Sequence, residues 1–151
     1  MNTNVKTETN SHPLDRCSGA ELEAAVALLK QSGNLSEVAY FANGFADEPD
    51  KEVVLGFKAG APFERVIRLI GHDPKQKQSF DARVSLTKNE LVQFLWIEDG
   101  QAAVTGVDVV KAIRLLHKNS EWLQAIGKRG VEDLSLVHVE PWVAGRRPEG
   151  M

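Results

Sequence analysis

Between Phe63 and Asp99 the chain passes through three closely spaced segments that suit strands, "FERVIRLIGHD", "FDARVSLT" and "ELVQFLWIED". In the first, Glu64, Val66, Arg68 and Ile70 fall on one face and Phe63, Arg65, Ile67 and Leu69 on the other. The links are short, with "TKNE" reading as a turn and "PKQKQ" as a hairpin end. Parallel pairing needs a crossover of a dozen or more residues, so these three strands can only form an antiparallel meander.

Upstream, "SGAELEAAVALLKQSGN" is the clearest helix. Ser18 and Glu21 form a capping box, Leu22, Ala25, Val26, Leu28 and Leu29 recur at helical spacing, and Gly33 stops it. One face of this helix must pack on something, and the meander offers a sheet to receive it. "EVAYFANGF" is a further strand candidate, and "ADEPDKEVVLGFKAGAP" suits a short helical turn or an edge excursion. The order then restarts. After a linker at 100–106, "VDVVKAIRLLHKNSEWLQAIGKRG" is helical and broken at "NS", with Ser120 as the expected cap, and "LSLVHVEPW" is β-like. The fold class is therefore α+β: a helix on an antiparallel sheet over 12–99, then an incomplete second unit of the same type over 107–145. Residues 1–11 and 146–151 are expected to be loose tails.

At 151 residues, 42% hydrophobic and 26% charged, the chain can bury a core. A net charge of -3 and scattered basic residues, with Lys75 and Lys77 in a solvated turn, exclude an electrostatic footprint for nucleic acid. Cys17 is the single cysteine, so no intrachain disulfide forms, and it is read as a bystander. The N-terminus lacks a signal-peptide apolar region, and no apolar run approaches the roughly 20 residues of a membrane helix. No membrane partner and a cytoplasmic location are expected.

"HPLD" before the helix, then "KEVVLGFKAG", "ARVSLTKNELVQF", "EWLQAIGKRGVEDLSLV" and "VEPWVAG", in that order, resemble the N-terminal region of the copper-dependent quinoprotein amine oxidases. The match covers the second and part of the third N-terminal domain. The resemblance implies a cystatin-like fold for each unit. It also implies a parent enzyme that converts primary amines, with water and oxygen, to aldehyde, ammonia and hydrogen peroxide. Where that family has "HPLDPL", this chain has "HPLDRC", with Arg16 in place of the second proline.

The family's chemistry needs a topaquinone tyrosine within Asn-Tyr-Asp or Asn-Tyr-Glu and a copper site containing His-x-His. Tyr40, the single tyrosine, lies between Ala39 and Phe41 and reads as a half-buried sheet residue. His12, His72, His117 and His138 do not form that arrangement. No catalytic, cofactor-binding or metal-binding residue is assigned, and copper and topaquinone belong to the parent family. His138 with Glu140 could share a strand face as two metal ligands, but an ordinary surface pair is favoured. His72 with Asp73 reads as a solvated turn rather than an acid/base pair. His117 suits the end of its helix, and Trp96, Trp122 and Trp142 read as core anchors. No phosphate-binding loop is present.

The leading expectation is a non-catalytic amine-oxidase region, truncated or split before its catalytic domain and inactive alone. The alternatives are a free-standing assembly module, pairing through an exposed edge of "LSLVHVEPW" as a homo-oligomer, or an accessory subunit that completes an oxidase in trans with the catalytic domain.

Overall fold

The computed structural model describes residues 12–140 and Trp142. The chain divides into two units, Met1–Ala103 and Val104–Met151. The expected tails at 1–11 and 146–151 lie outside the described residues, as do Pro141 and residues 143–145. No helix among the described residues is long and apolar enough to cross a membrane.

The first unit opens with α1, Gly19–Gln31, held at its start by the expected capping box: the Ser18 side chain accepts from the Glu21 N–H, and Glu21 accepts from the Ser18 N–H. Gly33 comes after it with φ of 76°, a left-handed conformation that favours glycine. Next come β1 (Tyr40–Ala46), α2 (Lys51–Gly56), β2 (Val66–Asp73), β3 (Gln78–Ser85) and β4 (Glu90–Ile97). The four strands form one antiparallel sheet in the order β1-β2-β3-β4. This is an α+β architecture with one helix laid on one face of the meander.

That covered face is the core. Ile67 and Leu69 on β2, and Phe80, Ala82 and Val84 on β3, are buried with Ala25 and Leu29 of α1. Alternation on β2 agrees with the sequence reading, with Ile67 and Leu69 inward and Val66, Arg68 and Ile70 on the other side. Phe80 organises the centre, with Phe41 edge-on at 5.6 Å, Phe94 stacked at 5.9 Å and Trp96 edge-on at 6.4 Å. Gly71, directly across from Phe80, leaves the room that this ring occupies.

The opposite face sets Arg68 directly across from Arg83, an unfavourable pair on its own. Each guanidinium has its own carboxylate: Arg68 Nε donates to Asp81 at 2.9 Å and Arg83 Nε to Asp47 at 2.7 Å. Beyond β4, the chain returns over this face, where the Ala102 N–H donates to Ser79 Oγ at 2.8 Å.

The second unit holds α3 (Gly106–Leu116), α4 (Ser120–Gly127) and a 3-10 turn, Leu134–Leu136. Thr105 and Asp108 form a capping box for α3. Two expectations are corrected here. The cap of α4 is Asn119 rather than Ser120, because Asn119 Oδ1 accepts from the Trp122 N–H at 2.8 Å. "LSLVHVEPW" is not a strand over its described residues. Asp133 accepts from the Ser135 N–H at 2.9 Å and draws 134–136 into the 3-10 turn, and 137–140 pair with no strand. Its alternating apolar residues lack the neighbour that would make them a sheet.

Candidate functional site

Beside the Arg68–Arg83 group, three polar constellations lie among the described residues of the first unit, and each is occupied by structural work. The deepest joins α1 to the sheet. Arg65, buried just before β2, donates from Nε to Glu21 Oε1 at 2.7 Å, from Nη2 to Glu21 Oε2 at 3.3 Å and from Nη1 to the Pro13 carbonyl at 3.2 Å. Burial acts to raise the Glu21 carboxyl, but hydrogen bonds from Arg65 and Ser18 outweigh it and bring the pKa down to about 2. Such a carboxylate holds no proton to give and has its lone pairs engaged, so general-acid chemistry is closed to it.

The second constellation corrects the reading of His72 and Asp73 as a solvated turn. Asp73 is fully buried and accepts from the Ser36 N–H and hydroxyl, both at 2.7 Å, and from the Lys75 N–H at 3.0 Å. Burial pushes this carboxyl up, and those hydrogen bonds overcome it and hold it below the ordinary range. His72 lies on the other face of β2, its Nδ1 3.3 Å from Ser79 Oγ and its ring 5.8 Å from that of Tyr40. Adjacent residues on a strand point to opposite faces, so His72 and Asp73 form no acid/base pair.

The third is the N-terminal "HPLD" turn. The His12 N–H donates to Asp15 Oδ2 at 2.8 Å, the Leu14 N–H to His12 Nδ1 at 3.1 Å, and the His12 ring meets Phe57 edge-on at 5.0 Å. Arg16 leaves this turn intact. Cys17 comes next, half-buried against the core, its thiol donating to the Ser18 carbonyl at 3.6 Å. Burial first, then the Glu21 charge, pushes that thiol up, which disfavours the nucleophilic thiolate.

The other singled-out residues stand apart. Tyr40 is half-buried at the start of β1, as its β-rich surroundings predict. His117 caps the C-terminus of α3 and stacks on Trp122 at 5.6 Å. His138 and Glu140 are both exposed on a segment that is not a strand, so the shared face that would have paired them is missing. Trp96 packs on the core, Trp122 is half-buried, and Trp142 is 81% exposed, which corrects its reading as an anchor.

Sequence reasoning missed Arg65 and Asp73 as the organising polar residues. One signal could have found Asp73: Asp-Pro opening a turn, where the carboxylate can accept from N–H groups two and three residues on.

A surface cavity of about 530 Å³ lies beside α2, lined by Val53, Phe57, Pro62 and Phe63 with Lys58 and Glu64 at its margin. Glu64 is tied to Lys88 at 2.9 Å. Among the described residues, no three His, Cys, Asp or Glu side chains come together to hold a metal ion, so copper does not fit this part of the chain.

Comparison with known proteins accounts for this arrangement. The sequence profile of the AGAO-like N2 domain matches residues 18–94, which run from the cap of α1 into β4. A primary amine oxidase of Arthrobacter sp. (strain P1) is 32% identical over 136 residues, covering 89% of this chain and 20% of that protein. A primary amine oxidase of Klebsiella aerogenes is 25% identical over 96% of this chain and 19% of its own length. N-methylputrescine oxidase 1 of Nicotiana tabacum, a peroxisomal protein, is 25% identical over 91% of this chain and 22% of its own length. The chain spans about a fifth of the length of these relatives. A helix-on-sheet body whose buried polar groups all serve its own packing, matched over α1 to β4, belongs to the AGAO-like N2 domain family and corresponds to an N-terminal region of the copper amine oxidases.

Proposed function

We propose that this chain is a non-catalytic, cystatin-like N-terminal region of a copper amine oxidase, and that oxidation of primary amines is carried out by residues outside it. Residues 12–99 form one such domain and 107–145 begin a second of the same type. The observation that carries this reading is the coincidence of the family match at 18–94 with the helix-on-sheet body α1 to β4. The ionisable groups held inside that body are committed to its own architecture, Glu21 to Arg65 and Asp73 to Ser36. Its service to an oxidase is then to be a rigid body beside the catalytic domain.

The direct test is an oxidase assay with copper and a panel of primary amines, monitoring hydrogen peroxide. The chain by itself should produce none. Mixed with a polypeptide carrying the catalytic region of a related oxidase, it should co-purify with it. Peroxide production by the chain alone overturns the non-catalytic reading, and failure to associate overturns the accessory one.

An assembly role has one specific observation in its favour. α3 and α4 each carry an apolar stripe yet bury no residue, and Val109, Ile113 and Leu116 on the stripe of α3 are only half-buried.

A further inference from the structure

Among the described residues β4 has a strand neighbour on one side only, so alternate N–H and C=O groups along its other side face outward. Past an irregularity at Val92, five consecutive pairs from Arg83↔Gln93 to Ser79↔Ile97 keep it regular. Edge strands are commonly guarded by lysine or proline, and Leu91–Ile97 contains neither. Val92 and Leu95 are 51% and 49% exposed. On the core side, Phe94 and Trp96 are only half-buried, so their outer margins form a ledge for a further strand.

Charge decides which strand fits. Exposed acids stand at both ends, Glu90 before the apolar run and Glu98 and Asp99 after it. Lys88, close by, is already engaged by Glu64 at 2.9 Å. A second copy pairing antiparallel about Phe94 would set Glu90 against Glu98 at both ends, and a centre between Phe94 and Leu95 would set Glu90 against Asp99. Like charges directly opposite destabilise a strand pair, whereas opposite charges support it. The acids therefore act against self-pairing and in favour of a strand with cationic ends.

We infer that the free edge of β4 takes up an extended segment of a partner polypeptide, apolar at alternate positions and carrying Lys or Arg at both ends, which adds a fifth strand to the sheet. This property belongs to the sheet and does not depend on the oxidase reading.

The test uses the full 151-residue chain and two blocked synthetic peptides, Lys-Thr-Val-Thr-Val-Thr-Val-Thr-Lys and the same sequence with Glu at both ends. Trp122→Phe and Trp142→Phe leave Trp96 as the fluorescent reporter, and amide exchange locates the contact. At low salt the Lys-ended peptide should bind about tenfold more tightly, from two end pairs changing sign, and should protect amides of Gln93–Ile97 but not of β1. High salt should narrow the gap. The Glu90→Lys, Glu98→Lys variant, altered only at exposed positions, should prefer the Glu-ended peptide. Equal affinities, no binding of either peptide, or protection elsewhere would overturn the inference. So would β4 protection in the protein alone that grows with its concentration, because the occupant would then be a second copy.

Discussion

Arg65 and Glu21 are 44 residues apart in sequence and 2.7 Å apart in space, and the bond between them fastens the cap of α1 to the sheet beneath it. Their side chains are 9% and 13% exposed, so neither charge has much water to fall back on. Replacing Arg65 with Met strands the Glu21 carboxylate and should cost about 3 kcal/mol, read as a lower urea midpoint. Adding Glu21→Gln to that variant should recover part of the loss, because the amide can still cap the helix. An Arg65→Met protein as stable as the parent would show the pair to be dispensable.

The same pair predicts an acid response. The folded Glu21 pKa of about 2 lies below its ordinary 4.5, so its stabilisation is complete above about pH 4.5 and disappears as pH falls toward 2. The shift corresponds to about 3 kcal/mol. Urea titrations between those pH values should show a steep loss in the parent and a shallower one in Arg65→Met. Parallel curves would argue that other carboxylates dominate acid unfolding.

Asp73 holds the segment after α1 to the β2–β3 turn through Ser36, Lys75 and Gln76. Asp73→Ala would leave these donors facing a buried void and should cost about 3 kcal/mol. Asp73→Asn keeps one acceptor oxygen and should cost roughly half as much. Since the folded pKa is depressed, the Asp73 contribution is also present above the ordinary 3.8 and lost as pH falls below it. Circular-dichroism melts of both variants at neutral pH would check the ordering, and equal Tm values for parent and Asp73→Ala would refute it.

These residues also mark what the sequence makes legible. Ser18, Glu21 and the spacing of Ala25 and Leu29 announce α1, and alternation through Ile67 and Leu69 announces β2, because both signals are local and periodic. Arg65 carries no such sign: it sits in phase with the inward residues, and its partners, Glu21 and Pro13, are supplied by the fold. Residues 134–140 show the opposite failure. Leu134 and Leu136 alternate as a strand would, but alternation specifies a strand only where another is available to pair, and Asp133 takes the local turn instead. The absence of an assigned catalytic residue rested on motif chemistry and family resemblance together. The structure shows where two of the carboxylates are spent, Glu21 on Arg65 and Asp73 on Ser36.

Of the two glycines in the strands, Gly71 is the more sensitive to size, since at Gly44 an added Cβ would meet only the ends of the Leu22 and Leu69 side chains. A Cβ placed there would lie 2.2 Å from the Tyr40 carbonyl and 2.5 Å from Phe80 Cζ. Backbone cannot yield easily, and Phe80 is fully buried among Phe41, Phe94 and Trp96. Gly71→Ala should therefore cost about 2–3 kcal/mol, lower Tm and loosen the Phe80 cluster, visible as changed near-ultraviolet circular dichroism. An unchanged spectrum and Tm would mean that β1 and β2 can separate without penalty.

α1 and α3 begin with equivalent capping boxes, Ser18 with Glu21 and Thr105 with Asp108, yet their fates differ beyond the first turn. α1 buries Ala25 and Leu29 completely, while α3 and α4 bury no residue. Caps contribute about 1 kcal/mol each, and an isolated helix of 11 residues is marginal in water without packing. The amides of α3 and α4 should therefore exchange with solvent at least about a hundredfold faster than those of β2 and β3, whose opening requires the core to come apart. Native-state exchange measured by mass spectrometry resolves the two groups. Equal protection would mean that the apolar stripes of α3 and α4 are covered in solution. Faster exchange that slows when a catalytic-region polypeptide is added would identify the cover.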